Sequence, residues 1–305
     1  MTGALDGRVI IVTGAGRGIG AEHVRLLARE GAQLVVNDLG GSPDGSGADA
    51  GPAAQLVAEI EAAGGHAVAN TDDVADPDGA QRLVDTALET FGDLHGLVNN
   101  AGVLRDRTLV SMTEDDWETS LRVNARGTFL PTRAAARYWR DRAKAGHTVQ
   151  ASVVSTSSES GVFANAGQTN YAAAKAGVAA MTEVWHKELV RYGVRFNAIL
   201  PRARTRLTET MLKAVEGDAF DAWDPANVSP FVGYLLTASC PIAGEVFLVS
   251  GSLVQRAVPW RLDPSWRLDA GGRWDVAGLA AAVEQLGVPT DPDRDTGAVS
   301  QRPLR

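Results

Sequence analysis

Short runs of apolar and β-branched residues alternate along the chain with longer segments whose apolar residues recur at helical spacing. Seven runs predict strands, at 8–14, 33–38, 66–74, 94–102, 151–158, 194–200 and 245–251. Helical periodicity predicts helices between them, at 18–30, 52–63, 76–91, 113–144, 168–192 and 227–239. Strands that are apolar almost throughout are typical of a parallel sheet covered on both faces by helices.

This alternation predicts an α/β fold over residues 1–250: a single doubly wound Rossmann-like domain with a seven-stranded parallel sheet. Residues 251–305 follow the last predicted strand and form a C-terminal extension. Within it, 275–287 has a helical period, and 289–305 has the composition of a disordered segment.

Composition argues against several classes of function. The formal net charge of −8 and the pI of about 5.2 oppose binding to nucleic acid or to an anionic membrane surface. The single cysteine, Cys240, excludes an internal disulfide and a multi-cysteine metal cluster, and we expect no metal site. Neither a secretory signal nor an apolar run of about 20 residues is visible, so we expect a cytoplasmic protein.

A glycine-rich segment, TGAGRGIG at 13–20, follows the first strand and opens the first helix. Such glycines let the backbone turn tightly and approach a pyrophosphate at the helix N-terminus. Asp38 ends the second strand, 18 residues after Gly20, near the position of the acid that binds the adenosine ribose hydroxyls. A carboxylate there repels a 2′-phosphate and favours NAD over NADP, whereas the cation of Arg17 weakly favours NADP. The spacing departs from G-x-G-x-x-G, and a tight turn without a ligand is the alternative.

A second candidate site is NYAAAKAG at 170–177, where Tyr171 and Lys175 lie four residues apart among alanines. On a helix, the two side chains share one face. Because an ammonium group stabilises a phenolate, we expect Lys175 to lower the pKa of Tyr171 and make it a general acid/base. Taken alone, such a pair is more often an exposed ring beside a solvated cation.

These segments together resemble the motifs of the short-chain dehydrogenase/reductase family. The family's Thr-Gly-x-x-x-Gly-x-Gly corresponds to 13–20, its Asn-Asn-Ala-Gly to 99–102 and its Tyr-x-x-x-Lys to 171–175. The resemblance covers 8–250. It implies a Rossmann-like fold, a nicotinamide cofactor, and hydride transfer between that cofactor and a secondary alcohol or carbonyl carbon.

The resemblance also assigns roles to individual residues. The implied catalytic residues are Asn124, Ser158, Tyr171 and Lys175. The implied cofactor-binding residues are Gly14, Gly16, Arg17, Gly18, Ile19, Gly20, Asp38, Asp73, Val74, Asn100, Ala101, Gly102, Tyr171 and Lys175. In the family, the acid and the apolar residue at 73–74 contact the adenine. Ser158 holds the substrate oxygen, and Asn124 helps to fix a water linked to Lys175. Ser155 and Ser157 are neighbouring alternatives to Ser158.

A narrower resemblance links the chain to the (3R)-hydroxyacyl-CoA dehydrogenase domains of peroxisomal multifunctional enzymes of type 2. It rests on 35–41, 99–109, 170–177 and the loop LPRARTRLTETM at 200–211. It implies NAD-dependent oxidation of a (3R)-3-hydroxyacyl-CoA to its 3-ketoacyl-CoA, including bulky or steroid-derived acyl groups. Arg202 and Arg204 replace small or neutral residues of that group, and Asn124 stands where that group can carry a histidine.

The loop after the sixth strand allows two interpretations. It contains Arg202, Arg204, Arg206 and Lys213 with a single acid, Glu209. Guanidinium groups suit phosphates, so these side chains could grip a CoA thioester. The alternative is a solvated loop with surface ion pairs, which contribute little stability.

Other functions remain open from the sequence. A hydroxysteroid dehydrogenase or a general carbonyl reductase fits the same motifs. A catalytically silent nucleotide-sensing protein would share the fold but would have no use for a general acid such as Tyr171. Family members usually associate through the helices that carry the Asn and the Tyr. The apolar faces of 128–146 and 178–193 therefore predict a homodimer or homotetramer.

Overall fold

The structure of the protein is a computed structural model, which describes residues 3–42, 44–47, 49–204, 220–258, 262, 265–269 and 273–287. The chain divides into two compact units, Met1–Ala257 and Val258–Arg305. The strands are β1 (Val9–Thr13), β2 (Gln33–Asn37), β3 (His66–Asn70), β4 (Gly96–Asn99), β5 (Ala151–Thr156), β6 (Val194–Arg202), β7 (Glu245–Ser250) and β8 (Leu253–Ala257). The helices are α1 (Gly18–Arg29), α2 (Gly51–Ala62), α3 (Pro77–Phe91), α4 (Glu114–Ser120), α5 (Gly127–Lys144), α6 (Glu159–Phe163), α7 (Thr169–Leu189), α8 (Ser229–Leu236) and α9 (Val276–Leu286). The segment 289–305, predicted to be disordered, lies outside the described residues, as do Arg206, Glu209 and Lys213.

One sheet contains all eight described strands in the order β3-β2-β1-β4-β5-β6-β7-β8. The seven predicted strands are confirmed, and they pair with one another in parallel. The eighth strand, β8, was not predicted, and it pairs antiparallel with β7 through a turn at Gly251, where φ is +52°. Most β8 side chains are exposed, so the strand carries no buried apolar pattern that could reveal it.

The two faces of β1 explain why helices cover both sides of the sheet. Ile10 and Val12 pack into one apolar cluster with residues of α1, α2 and α8. Val9 and Ile11 point the other way, into a second cluster with residues of α3 and α5. Each such side chain contributes about 1.5–3 kcal/mol on full burial. Alternating side chains of a single strand therefore bury against two helical layers, which is the doubly wound arrangement.

The predicted site residues lie near the carboxyl ends of the strands. The strand order reverses between β1 and β4, and ligands of open α/β sheets bind in the crevice at such a point. The glycine-rich segment follows β1, and the Asn-Asn-Ala-Gly segment follows β4. The predicted helix 113–144 is present but contains a π-helical turn, Leu121–Arg126, that carries Asn124. Turns of this kind are rare and often mark functional sites.

Candidate active site

The glycine turn after β1 has a backbone conformation that favours glycine. Gly14 and Gly18 have φ values of +59° and +55°, in the left-handed region. A Cβ on Gly14 would lie 2.6 Å from the Cα of Ala101, and one on Gly20 would lie 2.3 Å from the carbonyl oxygen of Gly14. Because these glycines carry no side chains, a phosphate group can approach the backbone at the first turn of α1.

The segment after β4 holds this turn in place. The Nδ2 of Asn100 donates to the carbonyl oxygens of Thr13 and Gly14, at 3.1 and 2.9 Å. The hydroxyl of Thr13 accepts from the backbone N–H groups of Asn100 and Ala101, at 3.0 and 3.2 Å. The structure thus brings these predicted cofactor residues to the turn, where they act as its support.

Asp38 lies at the end of β2, against the same turn. Its Oδ2 accepts from the N–H of Gly16 at 2.7 Å, and its Oδ1 accepts from the N–H of Gly40 at 2.6 Å. A Cβ on Gly16 would lie 2.9 Å from Asp38 Oδ2, so the carboxylate depends on that glycine for its position. Arg17 is exposed at the start of α1, and Ile19 packs against the core. The glycine turn fits the pyrophosphate of a nicotinamide dinucleotide, and the carboxylate of Asp38 fits its ribose.

Asp73 and Val74 lie between β3 and α3. The Asp73 carboxylate accepts from the N–H of Ala75 at 2.8 Å and forms an ion pair with Arg122 of the π turn. Val74 is buried, and a Cβ on Gly127 would lie 2.9 Å from its side chain. The segment therefore packs against the helix that carries Asn124, while its contact with an adenine ring remains a prediction.

Lys175 and Asn124 approach each other at Gly102. Lys175 is 2% exposed, and its Nζ donates to the carbonyl oxygen of Thr156 at 2.7 Å. Asn124 is fully buried, with Nδ2 donating to Val103 O at 3.0 Å and Oδ1 accepting from Val103 N at 3.3 Å. A Cβ on Gly102 would lie 2.7 Å from Asn124 Oδ1 and 3.6 Å from Lys175 Nζ. Glycine at this position keeps the space between amide and ammonium open.

Ser158 and Tyr171 are the other two predicted catalytic residues. Ser158 is the N-cap of α6, and its hydroxyl accepts from the N–H of Ser160 at 3.2 Å. Its side chain also lies close enough to the phenol to lower the pKa of Tyr171. The neighbouring serines have structural partners, since Ser157 donates to the backbone oxygen of Lys175 at 2.7 Å and Ser155 accepts from Asn99 at 3.3 Å. Of the three serines, Ser158 is the one that meets the phenol.

The electrostatics of the pair differ from the sequence-based expectation. Burial raises the pKa of Tyr171 to about 12, although Ser158 acts in the opposite direction. Burial likewise lowers the pKa of Lys175 to about 8. The expected lowering of the Tyr171 pKa by Lys175 is therefore wrong for this structure. The reason is geometric: the Lys175 ammonium lies over the ring, 5.6 Å from its centroid, and binds Thr156.

Asn170 is a site residue that the sequence pattern did not reveal. It is fully buried beside Tyr171, and its Oδ1 accepts from the N–H of Tyr171 at 2.7 Å. Its Nδ2 donates to the carbonyl oxygens of Arg105 and Asp116, both at 2.9 Å. Asn170 therefore ties the start of α7 to α4 and to the loop after β4. Only its place beside the tyrosine could have suggested this.

The two described arginines of the loop after β6 are engaged by carboxylates. Arg202, 8% exposed, binds Glu159 through two nitrogens, at 2.6 and 2.5 Å. Arg204 pairs with Asp221 at 2.5 Å. The Arg202 pair is buried and is not the surface ion pair of the alternative interpretation. Both guanidinium groups thus have carboxylate partners, which weakens the case for a phosphate grip by these two residues.

Comparison with known proteins agrees with the geometry. Residues 8–216 match the short chain dehydrogenase family model. The hydroxyacyl-CoA dehydrogenase ChsB1 of Mycobacterium tuberculosis is 39% identical over 304 residues, covering 96% of this chain and 93% of that protein. The mouse peroxisomal multifunctional enzyme type 2 is 41% identical over 82% of this chain, which corresponds to 32% of the mouse protein.

Solved structures show the same relationship. A crystal structure of a short chain dehydrogenase from Mycobacterium avium superposes with a TM-score of 0.83 at 46% identity, covering 93% of this chain and 96% of that one. The fold thus agrees with the family match. The chain belongs to the short-chain dehydrogenase family of oxidoreductases.

Proposed function

We propose that this protein oxidises a secondary alcohol with NAD, and that its substrate is a (3R)-3-hydroxyacyl-CoA, which it converts to the 3-ketoacyl-CoA. The observation that carries the proposal is the meeting of Ser158, Tyr171 and Lys175 at the carboxyl end of β5. A ketone forms when the carbinol loses a hydride from carbon and a proton from oxygen. A bound nicotinamide supplies the hydride acceptor.

The side chains of the protein take up the hydroxyl proton of the substrate and bind its oxygen. Tyr171, as the phenolate, accepts the proton of the substrate hydroxyl, and Ser158 donates a hydrogen bond to the substrate oxygen. Lys175, with a pKa of about 8, can exchange a proton near neutral pH. Asn124 donates to the carbonyl oxygens of Val103 and Ser120, and these bonds fix the main chain beside Lys175.

Asp38 supports NAD as the cofactor. Its carboxylate is held at the glycine turn by two backbone N–H groups, where it is suited to accept hydrogen bonds from ribose hydroxyls. A 2′-phosphate at that position would meet a fixed negative charge. Arg17 is exposed and free to turn towards solvent, so it offers a weaker attraction than the repulsion from Asp38.

The choice of an acyl-CoA rests on the names of two relatives, ChsB1 and the mouse multifunctional enzyme. A bulky or steroid-derived acyl group belongs to the same proposal. A hydroxysteroid dehydrogenase or general carbonyl reductase is the second candidate, favoured by the pairing of Arg202 and Arg204 with carboxylates. A nucleotide sensor is disfavoured because the catalytic side chains are assembled.

The test is the formation of NADH by purified protein with (3R)- and (3S)-hydroxyacyl-CoAs, free steroid alcohols and simple secondary alcohols, with NADP in parallel. Turnover confined to (3R)-hydroxyacyl-CoAs and NAD supports the proposal in full. Turnover of free alcohols instead would keep the dehydrogenase and discard the CoA substrate. NAD binding without turnover of any substrate would favour the sensor.

We also propose a homodimer or homotetramer that forms through α5 and α7. Phe129 and Trp185 stack across these helices with ring centroids 6.5 Å apart, and Arg133 lies over the Phe129 ring. A surface groove includes both aromatic rings, together with Arg137 and Glu188. An apolar floor between opposite charges suits a second copy related by a two-fold axis.

Among the described residues, no helix is long and apolar enough to cross a membrane. A cytoplasmic location remains part of the proposal.

A further inference from the structure

Gln168, three residues before Tyr171, connects two loops at the reacting centre. Its side chain is buried, with 8% of the residue exposed. Its Nε2 donates to Asp106 Oδ2 at 2.8 Å, and its Oε1 accepts from Ser160 Oγ at 2.6 Å. Ser160 in turn donates its backbone N–H to the hydroxyl of Ser158. One amide therefore joins the loop that carries Asp106 to the turn that carries the substrate-binding serine.

The main chain on both sides of Asp106 is fixed to the same region. The N–H of Arg107 donates to the carbonyl oxygen of Gly167 at 2.8 Å. On the other side, Asn170 Nδ2 donates to the carbonyl oxygen of Arg105 at 2.9 Å. Because both neighbours are tied to the start of α7, the position of the Asp106 carboxylate relative to Tyr171 is set by the fold.

Most charged groups around the phenol are neutralised by an ion pair within the described ranges, whereas Asp106 is not. Charged side chains on the elements packed around Tyr171 include Lys175 on α7, Glu159 on α6, Arg202 on β6, Asp116 on α4, Arg122 on the π turn, and Arg105, Asp106 and Arg107 on the loop. Glu159 is paired with Arg202. Asp116 lies 3.6 and 3.9 Å from two arginines, and Arg122 pairs with Asp73. Asp106 binds a neutral amide, and no ion pair within the described part of the chain neutralises it. The charge of Asp106 also acts in the direction that raises the pKa of Tyr171.

We propose that Asp106 is a specificity-determining residue that selects substrates without a negative charge next to the reacting alcohol. The proposal rests on the alcohol oxidation proposed above. In a free 3-hydroxy acid, the carboxylate carbon is two bonds from the carbinol carbon, whose hydroxyl proton Tyr171 accepts. In a thioester the same carbon is uncharged, and the phosphates of CoA lie at the far end of a long arm. Asp106 therefore disfavours the free acid and accepts the thioester.

The test compares a 3-hydroxyacyl thioester with the corresponding free 3-hydroxy acid. Asp106→Asn keeps an oxygen that can accept from Gln168, and it removes the charge. We expect the ratio of kcat/KM for thioester over free acid to fall about fivefold, the size of one like-charge contact in water. The difference from wild type should shrink at high salt because Asp106 is exposed. An unchanged ratio in the folded variant would overturn the proposal.

Asp115→Asn is the matched control. Asp115 is a nearby acid whose side chain is 75% exposed and paired with Arg105, so the same exchange there should leave the ratio unchanged. A ratio that falls equally in both variants would show a general loss of surface charge and overturn the assignment to Asp106.

A second measurement does not depend on turnover. The near-ultraviolet absorbance of tyrosinate, taken as the difference between each protein and its Tyr171→Phe counterpart, reports the titration of Tyr171. A lower midpoint in Asp106→Asn supports the field on the phenol, and an unchanged midpoint overturns it. If the wild-type protein oxidises neither substrate, the proposed function fails, while this titration still decides whether the charge of Asp106 reaches Tyr171.

Discussion

His23 lies on the inner face of α1, where its ring is fully buried against α8. Its Nδ1 is 2.9 Å from the hydroxyl of Ser229, and its Nε2 has no hydrogen-bond partner within the described part of the chain. Burial lowers the pKa of His23 from 6.5 to about 3. The folded protein therefore keeps this ring neutral under conditions in which the unfolded chain protonates it.

The sign of the effect follows from proton binding. Between pH 6.5 and about 3 the unfolded chain holds more protons, so the stability that His23 contributes is present above pH 6.5 and lost as the pH falls. For these two pKa values, the loss at pH 5 is about 2 kcal/mol relative to pH 8. That is a sizeable part of the ~5–15 kcal/mol by which domains are stable.

The assay is urea unfolding between about pH 5 and pH 8, followed by tryptophan fluorescence. His23→Gln places a non-titrating polar side chain at the same site. Whatever its stability at pH 8, this variant should lose about 2 kcal/mol less than wild type on acidification. His147→Gln, at an exposed position after α5, is the matched control and should follow wild type. Parallel pH curves for wild type and His23→Gln would refute the reasoning.

Three further predictions concern the cofactor site and assembly. Asp38→Ala should lower the preference for NAD over NADP about tenfold, measured as a ratio of kcat/KM, because a fixed charge beside the ribose is removed; an unchanged ratio would count against its role. Gly20→Ala should abolish NAD binding in calorimetry because its Cβ would lie 2.3 Å from a backbone oxygen, whereas Gly177→Ala, with nothing within 4 Å, should bind normally. Trp185→Glu should convert the oligomer to a monomer in light scattering, and an unchanged mass would exclude the α5–α7 interface.

The parallel sheet was predictable because each central strand is buried on both faces. Such strands appear as continuous apolar runs, and the helices between them have a clear period. Strand β8 was missed because it lies at the edge of the sheet with mostly exposed side chains. Helix α6 was missed because five residues are too few to establish a period.

In the candidate site, too, some features could be predicted from the sequence and others could not. Ser158, Tyr171 and Lys175 were recognisable because their chemistry requires fixed residue types at fixed spacing. The partners of Asn170 could not be predicted, because it binds carbonyl groups more than 50 residues away in sequence. The pKa of Tyr171 was misjudged because spacing along a helix does not reveal burial, and here burial is the largest cause of the shift.

The most direct test of the account is the comparison of Tyr171→Phe with wild type, measured as NAD binding in calorimetry and as NADH formation with a (3R)-3-hydroxyacyl-CoA. Tyr234→Phe, at an exposed ring, is the control and should match wild type in both. We predict that Tyr171→Phe binds NAD with unchanged affinity and loses at least ~10²–10⁴-fold in turnover, the contribution expected of a general acid/base. Turnover within a few-fold of wild type would contradict the assignment of Tyr171 as the residue that carries the proton.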